Sequence, residues 1–301
     1  MKILVTGSAG TIATRVIEML LAAGHTVIGI DRKRNPWNAD IDALTQQRDL
    51  LSADALDAIP VTDAVIHLAA WSRVYELVAE PFKAVENVIT TARVLEWVRL
   101  HHIPRLVFAS SRECYGSVEG KLCTEGMARV EHSENAYGAS KISCEAFVHA
   151  YRRNFSIPAV MLRYANVYGA YDIADRVVPI FIQKARNQEM LRLFGEGKTL
   201  DFTHIDDAAR GTLLALEKFS SVNGETLNIA SGEATTLLKC AEKIVSTLGS
   251  RSGIVIDPPR MGEVLHFTAD ISRAKKMLGY VPQVPFSQGI VRAVEWYMAY
   301  T

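Results

Sequence analysis

Lys2-Ile3-Leu4-Val5-Thr6-Gly7-Ser8-Ala9-Gly10-Thr11-Ile12-Ala13 is the stretch that decides the fold. Lys2–Val5 is a short apolar run halted by a glycine-bearing turn, as expected of a strand covered on both faces in a parallel sheet. From Thr11 to Ala23, the residues Ile12, Val16, Met19, Leu20 and Ala23 recur at helical spacing, and Gly24 ends the pattern. Thr26–Ile30 reads as a second strand closing on Asp31. Glycines between a strand and a helix allow a tight turn and let backbone N–H groups approach a pyrophosphate at the positive helix end. The spacing is G-x-x-G-x-x-A rather than G-x-G-x-x-G, but Ala13 is small enough for the helix to lie close to the sheet. Asp31 follows the loop by about twenty residues, where a carboxylate binds ribose hydroxyls and repels a 2′-phosphate. The expected cofactor is therefore NAD; Arg32, Lys33 and Arg34 keep NADP open.

Outward from this unit the alternation continues. Ala64–Leu68 reads as a strand, Pro81–Leu100 as a long amphipathic helix, Arg105–Ser110 as a strand, Ala136–Asn154 as a helix and Pro158–Tyr164 as a strand. Strands alternating with helices imply an α/β fold, a Rossmann-type doubly wound parallel sheet with right-handed crossovers. Past Tyr168 the alternation weakens into helices near Val178–Asn187, Ala208–Phe219 and Leu237–Leu248 and an apolar segment at Leu191–Phe194. The expected organisation is an NAD-binding lobe over 1–168, to which later segments are free to return. A smaller lobe over 169–301, mainly substrate-binding, is woven onto it without a flexible linker.

The chain has 301 residues, 49% hydrophobic, with Lys plus Arg and Asp plus Glu both at 33. This is the mix of a folded protein, and its neutral balance offers no overall pull toward nucleic acid or a membrane surface. The apolar start meets Thr6-Gly7 before a leader develops, so a cytoplasmic location is expected. Cys114, Cys123, Cys144 and Cys240 are scattered with no C-x-x-C pair. Neither a disulfide nor a structural metal is expected, and Cys114 reads as a packing residue.

Tyr137-Gly138-Ala139-Ser140-Lys141 puts a phenol and an ammonium one helical turn apart. A neighbouring cation favours phenolate and makes the tyrosine a usable base; the same lysine is placed to bond a nicotinamide ribose. A bare Y-x-x-x-K is also an ordinary solvent-facing pair. Ser111, however, emerges from an apolar strand at the carboxyl edge of the sheet, where ligand crevices lie. Its hydroxyl suits a substrate oxygen whose proton Tyr137 takes; the plainer reading is a turn serine capping backbone.

In sum VTGSAGTIA, HLAA (67–70), SSRECYG, YGASK, LRYANVYG (162–169), DFTHIDDAARG (201–211) and ADISRAKKMLGYVP resemble, nearly end to end, the NAD-dependent epimerase/dehydratase family of extended short-chain dehydrogenases/reductases. The resemblance implies a catalytic triad of Ser111, Tyr137 and Lys141. It implies cofactor contacts at Gly7, Gly10, Thr11, Ile12, Asp31, Arg32, Asp49, Leu50, Leu68, Ala69, Ala70, Asn87 and Tyr164. It places Asn166 on the substrate's phosphate side, and in Arg260-Met261-Gly262-Glu263 it gives Arg260 to pyrophosphate and Glu263 to ribose. Relatives commonly carry Arg where Leu200 stands; Arg176 is a candidate replacement, or else a solvated charge at a helix start.

The implied chemistry is NAD-dependent epimerisation at C4 of a nucleotide-diphosphate hexose or uronic acid through a 4-keto sugar. A 4,6-dehydratase, a decarboxylase and a sugar reductase remain alternatives, as does a noncatalytic NAD-binding regulator, which would need no Tyr–Lys pair. Related dehydratases commonly have an Asp-Glu pair where this chain has Arg112-Glu113. Arg112 holds its proton too tightly to act as the acid. Glu113 reads either as a catalytic base or as a carboxylate paired with Arg112. Phe267 is expected to crowd a 2-acetamido group, unless it is a core residue pointing away. Equivalents of helices 81–100 and 136–154 pair across a dimer in relatives, so a homodimer is expected.

Overall fold

The computed structural model describes residues 1–118, 122–172, 176–262 and 264–300. Its first half runs β1 (Lys2–Thr6), α1 (Thr11–Ala22), β2 (Thr26–Asp31), α2 (Ala39–Leu44), β3 (Thr45–Gln47), β4 (Ala64–His67), α3 (Val74–Ala79), α4 (Lys83–Leu100), β5 (Leu106–Ser111), α5 (Ala136–Phe155) and β6 (Ala159–Tyr164). The remainder is β7 (Asn166–Tyr168), α6 (Val177–Arg186), β8 (Leu191–Phe194), β9 (Thr199–His204), α7 (Ile205–Glu217), α8 (Phe219–Val222), β10 (Thr226–Ile229), β11 (Ala234–Thr236), α9 (Leu237–Leu248), β12 (Ile254–Asp257), α10 (Ser272–Leu278) and α11 (Phe286–Tyr300).

A parallel seven-stranded sheet in the order β10-β6-β5-β4-β1-β2-β3 forms the centre. Its strands are apolar on both faces because both are covered. Ile3, Val5 and Ile66 meet Val16, Ile17 and Leu20 of α1 and Ala208 and Ala209 of α7 on one side. Leu4, Val65 and Phe108 meet Val94 and Val98 of α4 and Cys144 and Val148 of α5 on the other. After β1 the chain builds outward to β3, then returns to the other side of β1 as β4. That reversal leaves a crevice at the carboxyl ends of the strands, the usual ligand site of such sheets.

The smaller lobe holds sheets β11-β9-β7 and β12-β8, packed with α6, α9 and α11 around Phe181, Leu193, Phe202, Ile244 and Ile290. Buried Asp201 ties it together, accepting from the N–H groups of Ser231 (2.8 Å), Gly232 (2.9 Å) and Ala269 (3.2 Å). Asp207 likewise accepts from the N–H groups of Gln283 (2.9 Å) and Val284 (3.1 Å). Asp201 and Asp207 of the 201–211 motif are thus fold staples.

Several elements differ from the sequence expectation. Thr226–Ile229 carries no strand signal in the sequence, yet it returns to the central sheet beside β6; four residues are too short to show a period. The helix expected from Ala208 begins at Ile205, because His204 Nδ1 accepts the Asp206 N–H (3.2 Å) and caps it there. The helix expected from Pro81 begins at Lys83 and is preceded by the separate α3. All four cysteines are buried free thiols. Among the described residues no helix is long and apolar enough to cross a membrane.

Candidate active site

A cavity of about 660 Å³ runs along the carboxyl ends of β1, β2, β4 and β5 and into the smaller lobe. Gly7 turns at φ +73°, and a Cβ on it would lie 2.7 Å from the Ala69 backbone, so only glycine permits this approach. Gly10 precedes α1, whose free N–H groups open onto the same cavity. Asp31 ends β2, with Oδ2 accepting the Ala9 N–H (3.0 Å) and Oδ1 the Lys33 N–H (2.9 Å). Its carboxylate therefore shapes the glycine loop as well as facing the cavity.

Leu68, Ala69 and Ala70 form the opposite rim, held by Thr6, whose Oγ1 accepts the Ala69 N–H (3.3 Å) and lies 2.6 Å from His67 Nδ1. Burial, then the charge of Lys141, pushes the His67 pKa down to about 3. The ring stays neutral and acts as a spacer between Thr6 and Thr91 of α4. Thr11, Ile12, Arg32, Asp49, Leu50, Asn87 and Tyr164 also line the cavity. A glycine cradle, unpaired helix-start donors and a carboxylate at the second strand's end match the pyrophosphate and ribose of NAD.

Ser111 is the last residue of β5; its Oγ accepts the Glu113 N–H (3.2 Å), capping the turn that follows, and it lines the cavity with Tyr137 and Lys141. Tyr137 stands in the first turn of α5, which Asn135 caps by accepting the Gly138 N–H (2.9 Å). A Cβ on Gly138 would lie 2.8 Å from the Glu113 carbonyl oxygen, so glycine lets the helix press against residues 112–115. One turn later Lys141 Nζ lies 5.9 Å from the Tyr137 ring centroid and donates to the Ala109 carbonyl (2.8 Å). Burial pushes the Tyr137 phenol up, against the direction expected from the lysine; the pulls downward come from the neighbouring Ser111 hydroxyl and the Arg176 charge. Lys141 itself is lowered, chiefly by burial.

Glu113 is buried and fully engaged. Oε1 lies 2.7 Å from Arg112 Nη2, and Oε2 accepts from Asn135 Nδ2 at 3.0 Å. The paired-carboxylate reading is the arrangement found. Asn166 lines the cavity with its buried Oδ1 lacking a partner among the described residues. Arg176 stands at the start of α6 as its N-cap residue, partly exposed, and also lines the cavity: Nε lies 3.8 Å from Asp172 Oδ1, and Nη2 donates to Ser72 Oγ (3.2 Å). The Arg260 guanidinium carbon lies over Phe194, 3.6 Å from the ring centroid.

Phe267 requires correction. It does not line the cavity; it is buried with Val264, Ala269 and Ile271 and stacks on Tyr115 at 5.8 Å. Those contacts turn its ring into a core cluster, and it carries no argument about a 2-acetamido group. Glu263 lies outside the described residues. Sequence reasoning also missed Lys198 and Trp71. Lys198, Leu200 and Phe202 all line the cavity while Thr199 and Asp201 do not, the alternation of a strand face. The cation absent at 200 is therefore matched by one a pleat away, a signal visible only once 199–204 is known to be a strand.

The chain resembles known proteins along its whole length. A Bacillus subtilis (strain 168) protein described as an uncharacterized UDP-glucose epimerase is 33% identical, covering 98% of both chains. A dTDP-glucose 4,6-dehydratase of Streptomyces niveus is 29% identical over 99% of this chain and 93% of its own. UDP-glucose 4-epimerase of Thermotoga maritima, solved with UDP-glucose, superposes with a TM-score of 0.92 at 29% identity, covering 100% of this chain and 99% of its own. UDP-glucuronic acid 4-epimerase of Bacillus cereus, solved with UDP-glucuronic acid and NAD, gives 0.90 at 30% identity with both chains covered to 100%. Residues 3–230 match the NAD dependent epimerase/dehydratase family, and the chain belongs to that family of NAD-dependent enzymes.

Proposed function

We propose that this enzyme interconverts C4 epimers of a nucleotide-diphosphate hexose or uronic acid through a 4-keto sugar. The observation that carries the reading is that Ser111, Tyr137 and Lys141 line one cavity at the carboxyl edge of the sheet, the lysine one turn from the phenol. NAD, held by the glycine loop, Asp31 and the Leu68–Ala70 rim, supplies a hydride acceptor and donor and a positively charged ring when bound.

Ser111 orients the C4 hydroxyl, and Tyr137 Oη takes its proton as the carbon is oxidised; the same proton returns when the ketone is reduced on its other face. Arg176 favours the phenolate form that this requires. Lys141 is anchored on the Ala109 carbonyl, which fixes it one turn below the phenol. Asn166, Lys198, Arg176 and Arg260 supply donors and positive charge for the diphosphate side. Dehydration would need an acid and a base beside the sugar's C5–C6 bond. Arg112 cannot give up a proton, and Glu113 has both oxygens engaged, which favours epimerisation.

Relatives described as UDP-sugar epimerases make UDP-glucose and UDP-glucuronate the first substrates to try, beside dTDP-glucose. Appearance of the 4-epimer supports the reading. A 4-keto-6-deoxy product or carbon dioxide overturns it.

A homodimer and a cytoplasmic location complete the proposal. Phe82, Val85 and Ile89 at the start of α4 and Phe147 on α5 are exposed, and α4 packs on α5, which suits a helical interface. Light scattering that finds a monomer at working concentration removes the dimer; fractionation that finds the chain outside the cytosol removes the location.

A further inference from the structure

Arg32 and Trp71 stand on either side of the phosphate-binding loop. Arg32 directly follows β2 and Trp71 lies just beyond β4, while β1, which feeds the glycine loop, runs between those strands. All three strands are parallel, so both residues emerge at the same edge. The Arg32 guanidinium carbon lies over the Trp71 ring, 3.7 Å from its centroid, a close cation–π contact that spans the β1 position. Both residues line the cavity together with Gly7, Ala9 and Gly10, and Arg32 is exposed.

The two halves differ in rigidity. Trp71 donates its backbone N–H to Asn87 Oδ1 (2.7 Å), accepts at its carbonyl from Asn87 Nδ2 (3.0 Å), and donates its indole N–H to Glu86 Oε2 (2.6 Å). Asn87 Nδ2 also reaches Ser140 Oγ (3.0 Å), in the catalytic helix. Arg32 rests on the ring by a long, flexible side chain. The indole is a fixed post and the arginine the movable bar.

We infer that Arg32 and Trp71 form a clasp across the phosphate-binding loop that must part for NAD to enter or leave. The inference rests on NAD occupying that loop. An enzyme that returns its hydride to the same sugar gains from holding the cofactor between turnovers, and one exposed cation–π contact retards exchange without locking it. A residue that merely touches NAD slows only departure. A clasp that forms with and without cofactor slows both directions.

The test is stopped-flow exchange of NADH on the full chain, read by its fluorescence, for Arg32→Ala, Trp71→Ala, the double variant and Trp71→Phe. The clasp requires the association rate to rise about two- to fivefold, the range one exposed cation–π contact supports, and the dissociation rate to rise at least as much, since Arg32 also lines the NAD cavity. The double variant should match either single one, and Trp71→Phe, which keeps a flat ring, should stay near wild type. Faster dissociation with unchanged association, or additive effects in the double variant, would mean two separate contacts and overturn the clasp. Because Arg32 is exposed, Arg32→Ala decides the matter even if the tryptophan variants fail to fold. Absence of NADH binding in wild type would instead strike at the cofactor assignment.

Discussion

Glu113 Oε1 lies 2.7 Å from Nη2 of its chain neighbour Arg112, and both side chains are largely buried. A buried pair of this kind is costly to break by removing one partner, roughly 3–5 kcal/mol. Glu113→Gln is therefore expected to lower unfolding stability by that order while retaining most of the epimerase kcat. A loss of more than about a hundredfold in kcat, typical of removing an acid–base group, with stability unchanged would make Glu113 the base.

Tyr137→Phe removes the proton acceptor and should lower kcat/KM by about 10²–10⁴-fold. NADH binding should persist, because the glycine loop is untouched. Near-normal turnover in this variant would sink the assigned role.

The pH profile follows from what surrounds the phenol. Burial raises Tyr137 and Arg176 lowers it, so kcat/KM should rise with pH as the phenolate forms. Arg176→Ala withdraws a charge that favours the phenolate, and the rising limb should move to higher pH. A limb that stays in place, or moves down, contradicts the coupling.

Lys198 faces the cavity from the strand side that also presents Leu200 and Phe202. Lys198→Met should raise KM for the nucleotide sugar about tenfold or more, the scale of one lost charge-assisted contact of about 1.5–3 kcal/mol, with kcat little changed. Lys198→Arg should recover most of the affinity. Equal UDP binding by wild type and Lys198→Met, measured by calorimetry, would remove Lys198 from the site.

On α5, Glu145 accepts from Arg163 Nε (2.8 Å) and Nη2 (2.6 Å) and is also bonded by Ser110. Burial works against its ionisation, yet Arg163 and Ser110 hold its carboxyl below the usual 4.5. A lowered folded pKa gives stability that is complete above the unfolded value and is lost as pH falls through the folded one. Glu145→Gln should thus cost about 3–5 kcal/mol at neutral pH, a gap that narrows in urea titrations well below pH 4.5. A gap constant with pH would contradict an ionised Glu145.

The first strand, glycine loop, helix and Asp31 were legible because their chemistry is local: a turn residue, a helical period and an acid at a fixed distance. The ordered motifs did the same for Ser111, Tyr137 and Lys141. What escaped depends on distant partners. Thr226–Ile229 is a strand only because β6 offers it an edge. Lys198 faces the cavity only because of the strand register. Phe267 matched a pocket position in the motif pattern, but Tyr115 and Val264 determine where its ring points. Trp71 had no motif of its own, and its significance comes from Arg32 across the sheet.

The most direct measurement follows the hydrogen itself. UDP-glucose carrying deuterium at C4, turned over in ordinary water, should yield the 4-epimer with the deuterium still on C4, because it leaves as hydride to the nicotinamide and returns from it without exchanging with water. Deuterium lost to solvent, or found on C6 of a 4-keto-6-deoxy sugar, would contradict oxidation and return at C4.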